Sequence, residues 1–165
     1  MKQLYKIGPP IALGIYLLIL TKLVLLKYVS IFDVISRFNE LKQAGINSGS
    51  TNFVPFRTIH SYLFRDNLPT YISFENIVGN IIGFMPFGFL LPVLFKKMLC
   101  ATKIMIATFL LSLIYEVLQY ILILGSFDVD DLILNTLGGL LGYISLRFVQ
   151  RMIRNKKQRA HTLNR

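Results

Sequence analysis

Residues 112–142, SLIYEVLQYILILGSFDVDDLILNTLGGLLG, decide the fold of this chain. They form two apolar segments joined by a short acidic turn, and polar residues recur within them at steps of three or four, which places side chains on one face of a helix. The recurring positions are Ser112, Glu116, Gln119, Asp128, Asp131, Asn135, Gly138 and Gly142. An acid inside an apolar span usually faces the protein interior or a water-filled cavity. The stretch therefore predicts two membrane helices with a shared polar face, whose residues either form a functional site or only hydrogen-bond the helices together.

The composition of the chain indicates an integral membrane protein. Its 165 residues suit one domain, 1–165, and 54% of them are hydrophobic while only 16% are charged. The net charge of +10 lies largely beside apolar runs, where positive charge sets topology and meets anionic lipid. No nucleic-acid-binding motif accompanies the charge, so no nucleic-acid partner is expected. The single cysteine, Cys100, excludes an intramolecular disulfide, and neither a metal site nor a cofactor is indicated.

Four apolar runs have the length that a bilayer requires. They predict transmembrane helices at residues 9–29, 74–95, 101–124 and 131–149. The first run is too long for a signal-peptide core and has no small-residue cleavage site. Pro9 and Pro10 fit its first helical turn. Lys22, within the run, either snorkels to the interface or pairs with an acid further along the chain.

Residues 30–73 form the only long polar stretch between these runs, and we predict an extracytoplasmic loop there. A short amphipathic piece is expected around residues 32–41. The aromatic side chains of the stretch argue against disorder and suit a loop lying on the membrane interface. Asn52 and Arg57 are candidate binding residues of this loop. Arg57 and Arg65 could hold phosphate groups, either of lipid headgroups or of a specific substrate.

The second run contains two further signals. Gly79 and Gly83 make a G-x-x-x-G pattern, which permits close approach of another helix. Pro86 and Pro92 predict a kink or a break in the helix.

The distribution of positive charge predicts the topology. With both termini in the cytoplasm, that side receives the short basic segments and a basic tail at residues 150–165. The polar positions of the second, third and fourth spans then lie at one depth, near the outer surface, and we expect them to converge into one outward-facing pocket. The candidate pocket residues are Glu75, Asn76, Asn80, Glu116, Gln119, Asp128, Asp131 and Asn135. For Asp131 alone, capping of the fourth helix is an equal alternative.

Four sequence pieces together resemble the VanZ-like family in order and spacing. They are NFVPF (52–56), ENIVGNIIGFMPFGFLLP (75–92), SLIYEVLQ (112–119) and DVDDLILNTLGGLLG (128–142), and the likeness extends over residues 52–143. The resemblance implies a small bacterial cell-membrane protein, commonly from Gram-positive organisms, of a family whose namesake is associated with teicoplanin resistance without altered peptidoglycan precursors. Many members carry an arginine shortly before the first aspartate of the turn. Here Gly125, Ser126 and Phe127 stand instead, so no role for that arginine is carried over.

Three functions are compatible with these observations. The favoured one is a non-enzymatic envelope protein that contacts membrane lipids and binds a lipid-like molecule, such as a lipid-linked envelope precursor or a lipoglycopeptide. The second is an enzyme acting on an envelope lipid through its carboxylates. The spans contain no histidine and no nucleophile beside a recognisable base, so no catalytic residue is assigned. The third is a small transporter or proton relay, although the acids occupy only one half of the membrane. The oligomeric state is not indicated.

Overall fold

The computed structural model describes residues 4–26, 51–64, 70–122 and 124–163, and most of this part of the chain is helical. The helices are α1 (Leu4–Leu25), α2 (Arg57–Phe64), α3 (Thr70–Leu94), α4 (Ala101–Ile121) and α5 (Val129–Leu163). A 3-10 turn, Lys96–Met98, lies between α3 and α4. Two short strands, β1 (Thr51–Asn52) and β2 (Phe127–Asp128), pair in parallel and join the region before α2 to the start of α5.

Four of these helices, α1, α3, α4 and α5, are long and apolar enough to cross a membrane. The chain is therefore an all-α, multi-pass membrane protein, as the hydropathy pattern predicts. Many large apolar side chains point outward, among them Leu18, which is 74% exposed, and Phe148, which is 63% exposed. Such exposure is suited to contact with lipid, since lipid tails are as apolar as these side chains.

The main packing contact joins α3 and α5, and glycines make it possible. A Cβ atom added at Gly142 would lie 1.9 Å from the carbonyl oxygen of Met85, and one at Gly138 would lie 2.2 Å from that of Ile81. Real Cβ atoms do not approach backbone this closely, so any side chain at these two positions would push the helices apart. The glycines that end the 112–142 stretch thus allow direct backbone contact between α3 and α5.

The G-x-x-x-G pattern of α3 is not where the described helices come closest. A Cβ atom at Gly79 would meet no described atom within 4 Å, and one at Gly83 would meet only the Leu20 side chain at 3.8 Å. Both positions face the space between α3 and α1 rather than the α5 contact. Gly88, further along α3, is the tightly packed position, because a Cβ atom there would lie 1.8 Å from the oxygen of Gly139.

Helix α3 runs through Pro86 and Pro92 without ending, so the predicted break does not occur. The hydroxyl of Tyr16 on α1 donates a 2.8 Å hydrogen bond to the carbonyl of Gly83, close to the turn that Pro86 disturbs. This bond ties α1 to α3 within one turn of Pro86, although the carbonyl that Pro86 leaves without an intrahelical donor is that of Ile82.

Helix α1 begins five residues before the predicted span, at Leu4 instead of residue 9. Pro9 and Pro10 consequently lie in the second turn rather than the first. The fixed φ of proline is compatible with a helix, and Pro9 and Pro10 lie close enough to the amino end that only one turn precedes them. Lys22 is exposed and makes no ion pair within the described part of the chain, an arrangement compatible with snorkelling.

Side chains of α3 and α4 hold α1 in place. The Thr21 hydroxyl lies 2.9 Å from the Tyr115 hydroxyl, and Leu20 packs in a core cluster with Phe84 and Tyr115. The Phe84 and Tyr115 rings meet edge to face at 6.3 Å between centroids. This contact closes the bundle just below the polar end of the helices.

The structure adds detail to the two predicted polar segments. The predicted loop between the first two spans contains β1 and α2, and its last residues, 70–73, form the first turn of α3. The amphipathic piece expected around residues 32–41 lies outside the described residues. At the other end of the chain, the basic tail predicted from residue 150 onward continues α5 as helix to Leu163.

Candidate binding site

Four helix ends surround a cavity of about 520 Å³. The carboxyl ends of α1 and α4 and the amino ends of α3 and α5 meet there, because successive spans run in opposite directions. All the polar residues that the sequence nominated for a pocket line this cavity: Glu75, Asn76, Asn80, Glu116, Gln119, Asp128, Asp131 and Asn135. Tyr62 of α2 and the apolar side chains of Leu20, Leu23, Val24 and Phe84 also line it.

Glu116 connects α4 to the start of α5. Its side chain is only 2% exposed, and its Oε2 accepts a 2.8 Å hydrogen bond from the main-chain N–H of Asp128.

Asp128 is the N-cap of α5, and it also binds residues at the start of α2 and in the strand before it. Its Oδ1 accepts hydrogen bonds from the N–H of Asp130 at 2.9 Å and from Nδ2 of Asn52 at 3.0 Å. Its Oδ2 accepts one from the Thr58 hydroxyl at 2.6 Å. The bond to Asp130 is the usual N-cap contact. The cap is Asp128 rather than Asp131 because α5 begins at residue 129, two positions before the predicted span.

Asp130 holds the amino end of α2. It is fully buried, and its Oδ2 accepts hydrogen bonds from the N–H groups of Thr58 at 2.7 Å and Ile59 at 3.0 Å. Its Oδ1 accepts a further one from the N–H of Phe56. These are among the N–H groups that a helix start leaves unpaired, and a carboxylate there also complements the helix dipole. Asp130 is not among the candidate residues predicted from the sequence, because it falls in the acidic turn between two spans. An acid beside apolar spans with no nearby base is the signal that could have identified it.

The turn that leads into α2 carries backbone strain. Pro55 and Phe56 are its central residues, and the N–H of Arg57 closes it onto the carbonyl of Val54 at 3.3 Å. Phe56 has φ of 66°, in the left-handed region that favours glycine. Proline followed by a positive φ is the pattern of a type II turn. The hydrogen bond from Phe56 to Asp130 helps to hold this unfavourable conformation.

Asn80 and Asp131 join α3 to α5 on the wall of the cavity. Nδ2 of Asn80 donates a 2.6 Å hydrogen bond to Oδ1 of Asp131. Glu75, one turn and a half earlier on α3, is exposed and lines the same cavity. Asp131 thus sits in the first turn of α5 and also makes a contact between helices.

Asn135 and Ser112 join α4 to α5 below the carboxylates. Nδ2 of Asn135 donates a 2.8 Å hydrogen bond to the Ser112 hydroxyl oxygen. Asn135 is 3% exposed, and its Oδ1 has no hydrogen-bond partner in the described structure. Buried polar atoms are rarely left unpaired. The bonds between helices show that several polar residues act as interhelical contacts, but such contacts leave Oδ1 of Asn135 without a partner among the described residues.

The ionisable side chains of the described cavity wall are all acidic. Four carboxylates line it, from Glu75, Glu116, Asp128 and Asp131, and none of the described lining residues is Lys, Arg or His. Across the described residues, no three His, Cys, Asp or Glu side chains are grouped closely enough to hold a metal ion. The wall is therefore acidic without a countercharge from the described part of the chain.

The other residues predicted from the sequence as binding candidates do not all line the cavity. Asn52 donates to Asp128 and, at 3.0 Å, to the Thr58 hydroxyl, so it fastens the loop rather than lining the cavity. Arg57 is exposed at the first residue of α2 and does not line the cavity. Gln119 lines the cavity and donates a 3.0 Å hydrogen bond to the carbonyl of Val24 on α1. Arg65 lies outside the described residues.

These features define a multi-pass helical membrane protein in which the ends of the spans enclose an acidic, partly apolar cavity. The VanZ/LLP1 family model matches residues 13–150. The chain is 34% identical over 130 residues to Protein VanZ of Enterococcus faecium, covering 79% of this chain and 68% of that protein. The chain therefore belongs to the VanZ family, which its motifs indicated. No solved structure gives a significant match.

Proposed function

We propose that this chain is a protein of the bacterial cell membrane that contributes to resistance against glycopeptides and lipoglycopeptides of the teicoplanin type. It does so by binding a lipid-like or lipid-linked molecule in the cavity at the ends of its spans. The observation that carries the proposal is the combination of polar and apolar walls around one space of about 520 Å³. Small-molecule sites commonly have this size, with a few converging polar groups in an apolar surround.

The two walls suit the two parts of an amphiphile. Glu116, Asp131 and Asn135 provide polar groups on α4 and α5, while Leu20 and Leu23 of α1 provide apolar surface on the opposite side. Because these residues lie at the ends of membrane spans, a molecule between them would keep its headgroup near the interface. Its hydrocarbon part would remain near the lipid.

The proposed orientation has both termini in the cytoplasm. Lys96, Lys97 and Lys103 follow the end of α3 that is remote from the cavity, and α5 carries its basic residues at the same end of the bundle. Positive charge in short loops favours the cytoplasmic side. This orientation puts the cavity in the outer half of the membrane, where a lipid-linked envelope precursor or a membrane-anchored antibiotic would meet it.

Alanine substitutions test the proposal in a susceptible bacterial host that expresses the chain. We expect Glu116→Ala, Asp128→Ala, Asp131→Ala and Asn135→Ala each to abolish the rise in the inhibitory concentration of teicoplanin at an equal membrane level of protein. Ser145→Ala is the matched control, because its hydroxyl bonds only to the carbonyl of Leu141 on its own helix. Full resistance in all four variants would contradict the proposal.

A further inference from the structure

We propose that Arg147, Arg151 and Arg154 of α5 form a binding site for the phosphate headgroup of an anionic membrane phospholipid. The site lies at the end of the bundle remote from the cavity, so it goes beyond the proposed function and does not depend on it. Three features carry the inference: the shared face of the arginines, the lack of acidic residues around them and the depth at which α5 holds them.

The three arginines border one groove on the surface of α5. Their spacing of four and then three residues places them on one face of the helix, the arginine face. All three are exposed, and the groove is also lined by Gln150 and by the apolar side chains of Ile144 and Phe148. Nη1 of Arg147 donates a long hydrogen bond of 3.5 Å to Oε1 of Gln150, which is a neutral partner. Guanidinium groups side by side suit phosphate, because each offers a planar pair of N–H donors.

The charges around the groove favour an anion that has no cationic part. No Asp or Glu follows Asp131 in the chain. The acids of the described residues all lie at the opposite end of the bundle: Glu75, Glu116, Asp128, Asp130 and Asp131. A headgroup with an ammonium group would therefore find no described carboxylate beside the arginines. Phosphatidylglycerol, whose headgroup carries a phosphate and neutral hydroxyl groups, has the complementary charge.

The length of α5 places the arginines at headgroup depth. An α-helix rises about 1.5 Å per residue, so Arg147 and Arg154 lie about 27 Å and 38 Å from the first residue of α5, Val129. The hydrocarbon core of a bilayer is about 30 Å thick. With the acidic start of α5 at one surface of the membrane, the arginine face therefore falls around the boundary of the other leaflet, where lipid phosphates lie.

The groove also offers surface for the hydrocarbon of a lipid. Ile144 is 50% exposed and Phe148 is 63% exposed, and both line the groove nearer to the membrane centre than Arg151 and Arg154. Apolar side chains at this depth contact lipid tails. A phospholipid therefore places its phosphate beside the arginines and its acyl chains along Ile144 and Phe148, whereas free phosphate gains only the polar contacts.

Native mass spectrometry of the purified, delipidated full-length chain in detergent tests this inference. The chain is titrated with phosphatidylglycerol or with phosphatidylcholine of the same acyl chains. We expect the first phosphatidylglycerol to bind at least about 10-fold more tightly than the first phosphatidylcholine, because only its headgroup brings no cation to the arginines. Inorganic phosphate at the same concentration is expected not to displace the lipid, because it makes no contact with Ile144 and Phe148.

Paired substitutions of equal charge assign the lipid to the arginine face. Arg147→Gln combined with Arg151→Gln is expected to reduce phosphatidylglycerol affinity about 10-fold and to leave phosphatidylcholine affinity unchanged. Lys156→Gln combined with Arg159→Gln is the control, because it removes the same charge from exposed positions of α5 away from the arginine face, and it should leave both affinities unchanged. Gln, Lys and Arg have similar helix propensities, so α5 should persist in both variants.

A single substitution separates geometry from charge. Arg151→Lys keeps the positive charge but loses the planar pair of donors that matches phosphate. We expect it to reduce phosphatidylglycerol affinity about 3-fold.

Three results would overturn the inference. Equal affinity for phosphatidylglycerol and phosphatidylcholine would show that the chain does not distinguish the two headgroups. An equal loss of affinity in the control pair, or full affinity in Arg151→Lys, would show that α5 attracts anionic lipid through its net charge and not through a site. Displacement of the lipid by inorganic phosphate would show that the arginines bind phosphate without a lipid.

Discussion

Oδ2 of Asp130 accepts a 2.7 Å hydrogen bond from the main-chain N–H of Thr58, across 72 positions of sequence. The contact places the start of one helix, α2, on the start of another, α5. Since the neighbouring N–H groups of Phe56 and Ile59 bind the same carboxylate, one buried side chain organises the whole turn. The loop before α3 is thereby fastened above the cavity.

Asp130→Asn is expected to release the start of α2. Asparagine keeps the size of aspartate but replaces one acceptor oxygen with an NH₂ group, which faces main-chain donors. We expect local opening to become easier by about 2 kcal/mol. Hydrogen exchange at the amides of Phe56, Thr58 and Ile59 should then accelerate about 30-fold. Asp131→Asn, which retains an acceptor for Asn80, should leave these amides unchanged. Unaltered exchange in Asp130→Asn would show that the carboxylate does not hold the turn.

Gly142→Ala is expected to destabilise the bundle. The added methyl group would collide with the carbonyl oxygen of Met85, so α3 and α5 would have to separate. Overpacking of this kind typically costs about 1–3 kcal/mol. The unfolding temperature of the chain in detergent measures the effect. Gly79→Ala is the matched control and should be neutral or stabilising, because no described atom lies near that position and alanine is the better helix former.

Substitutions at Phe56 should follow the cost of its positive φ. Asparagine tolerates the left-handed region, whereas a β-branched residue does not. We therefore expect Phe56→Val to lower the stability of the turn by about 1 kcal/mol relative to Phe56→Asn. The 62% exposure of Phe56 means that little packing is lost in either variant. Hydrogen exchange of the Ile59 amide compares the two. Equal exchange rates would indicate that the φ value is unimportant.

Thiol labelling should report the orientation of the chain. Cys100 is exposed and lies between α3 and α4, at the end proposed to be cytoplasmic. The nearby main-chain N–H groups of Lys103 and Thr102 lower the pKa of its thiol from the ordinary value, which increases the fraction of reactive thiolate. An impermeant maleimide should therefore label Cys100 only after intact cells are permeabilised.

A second cysteine provides the complementary measurement. Ser126 is exposed beside the cavity, so Ser126→Cys in a Cys100→Ser background should be labelled in intact cells. If the same reagent labels Cys100 from outside and fails to reach position 126, the proposed orientation is inverted.

The polar residues illustrate how far sequence reasoning reaches in a membrane protein. The periodicity that groups Glu116 with Gln119, and Asp131 with Asn135, predicts their faces because the helix repeat and the cost of burying acids in lipid are local constraints. Their common depth follows from alternating span directions. The hydrogen-bond partners of these residues follow neither from the helix periodicity nor from the span directions, because the face of a helix on which a residue lies predicts no particular contact. Glu116 binds the N–H of Asp128, and Asn135 binds Ser112.

The sequence by itself determined the spans, the all-α class and the side of each helix that carries polar groups, because bilayer thickness and helical periodicity act on every segment separately. The tertiary structure alone decided that Asp130 anchors the loop, that Gly88 and Gly142 rather than Gly79 allow close packing, and that Oδ1 of Asn135 has no partner among the described residues. Each of these depends on residues more than 20 positions apart, whose approach is set by packing of whole helices rather than by local preference.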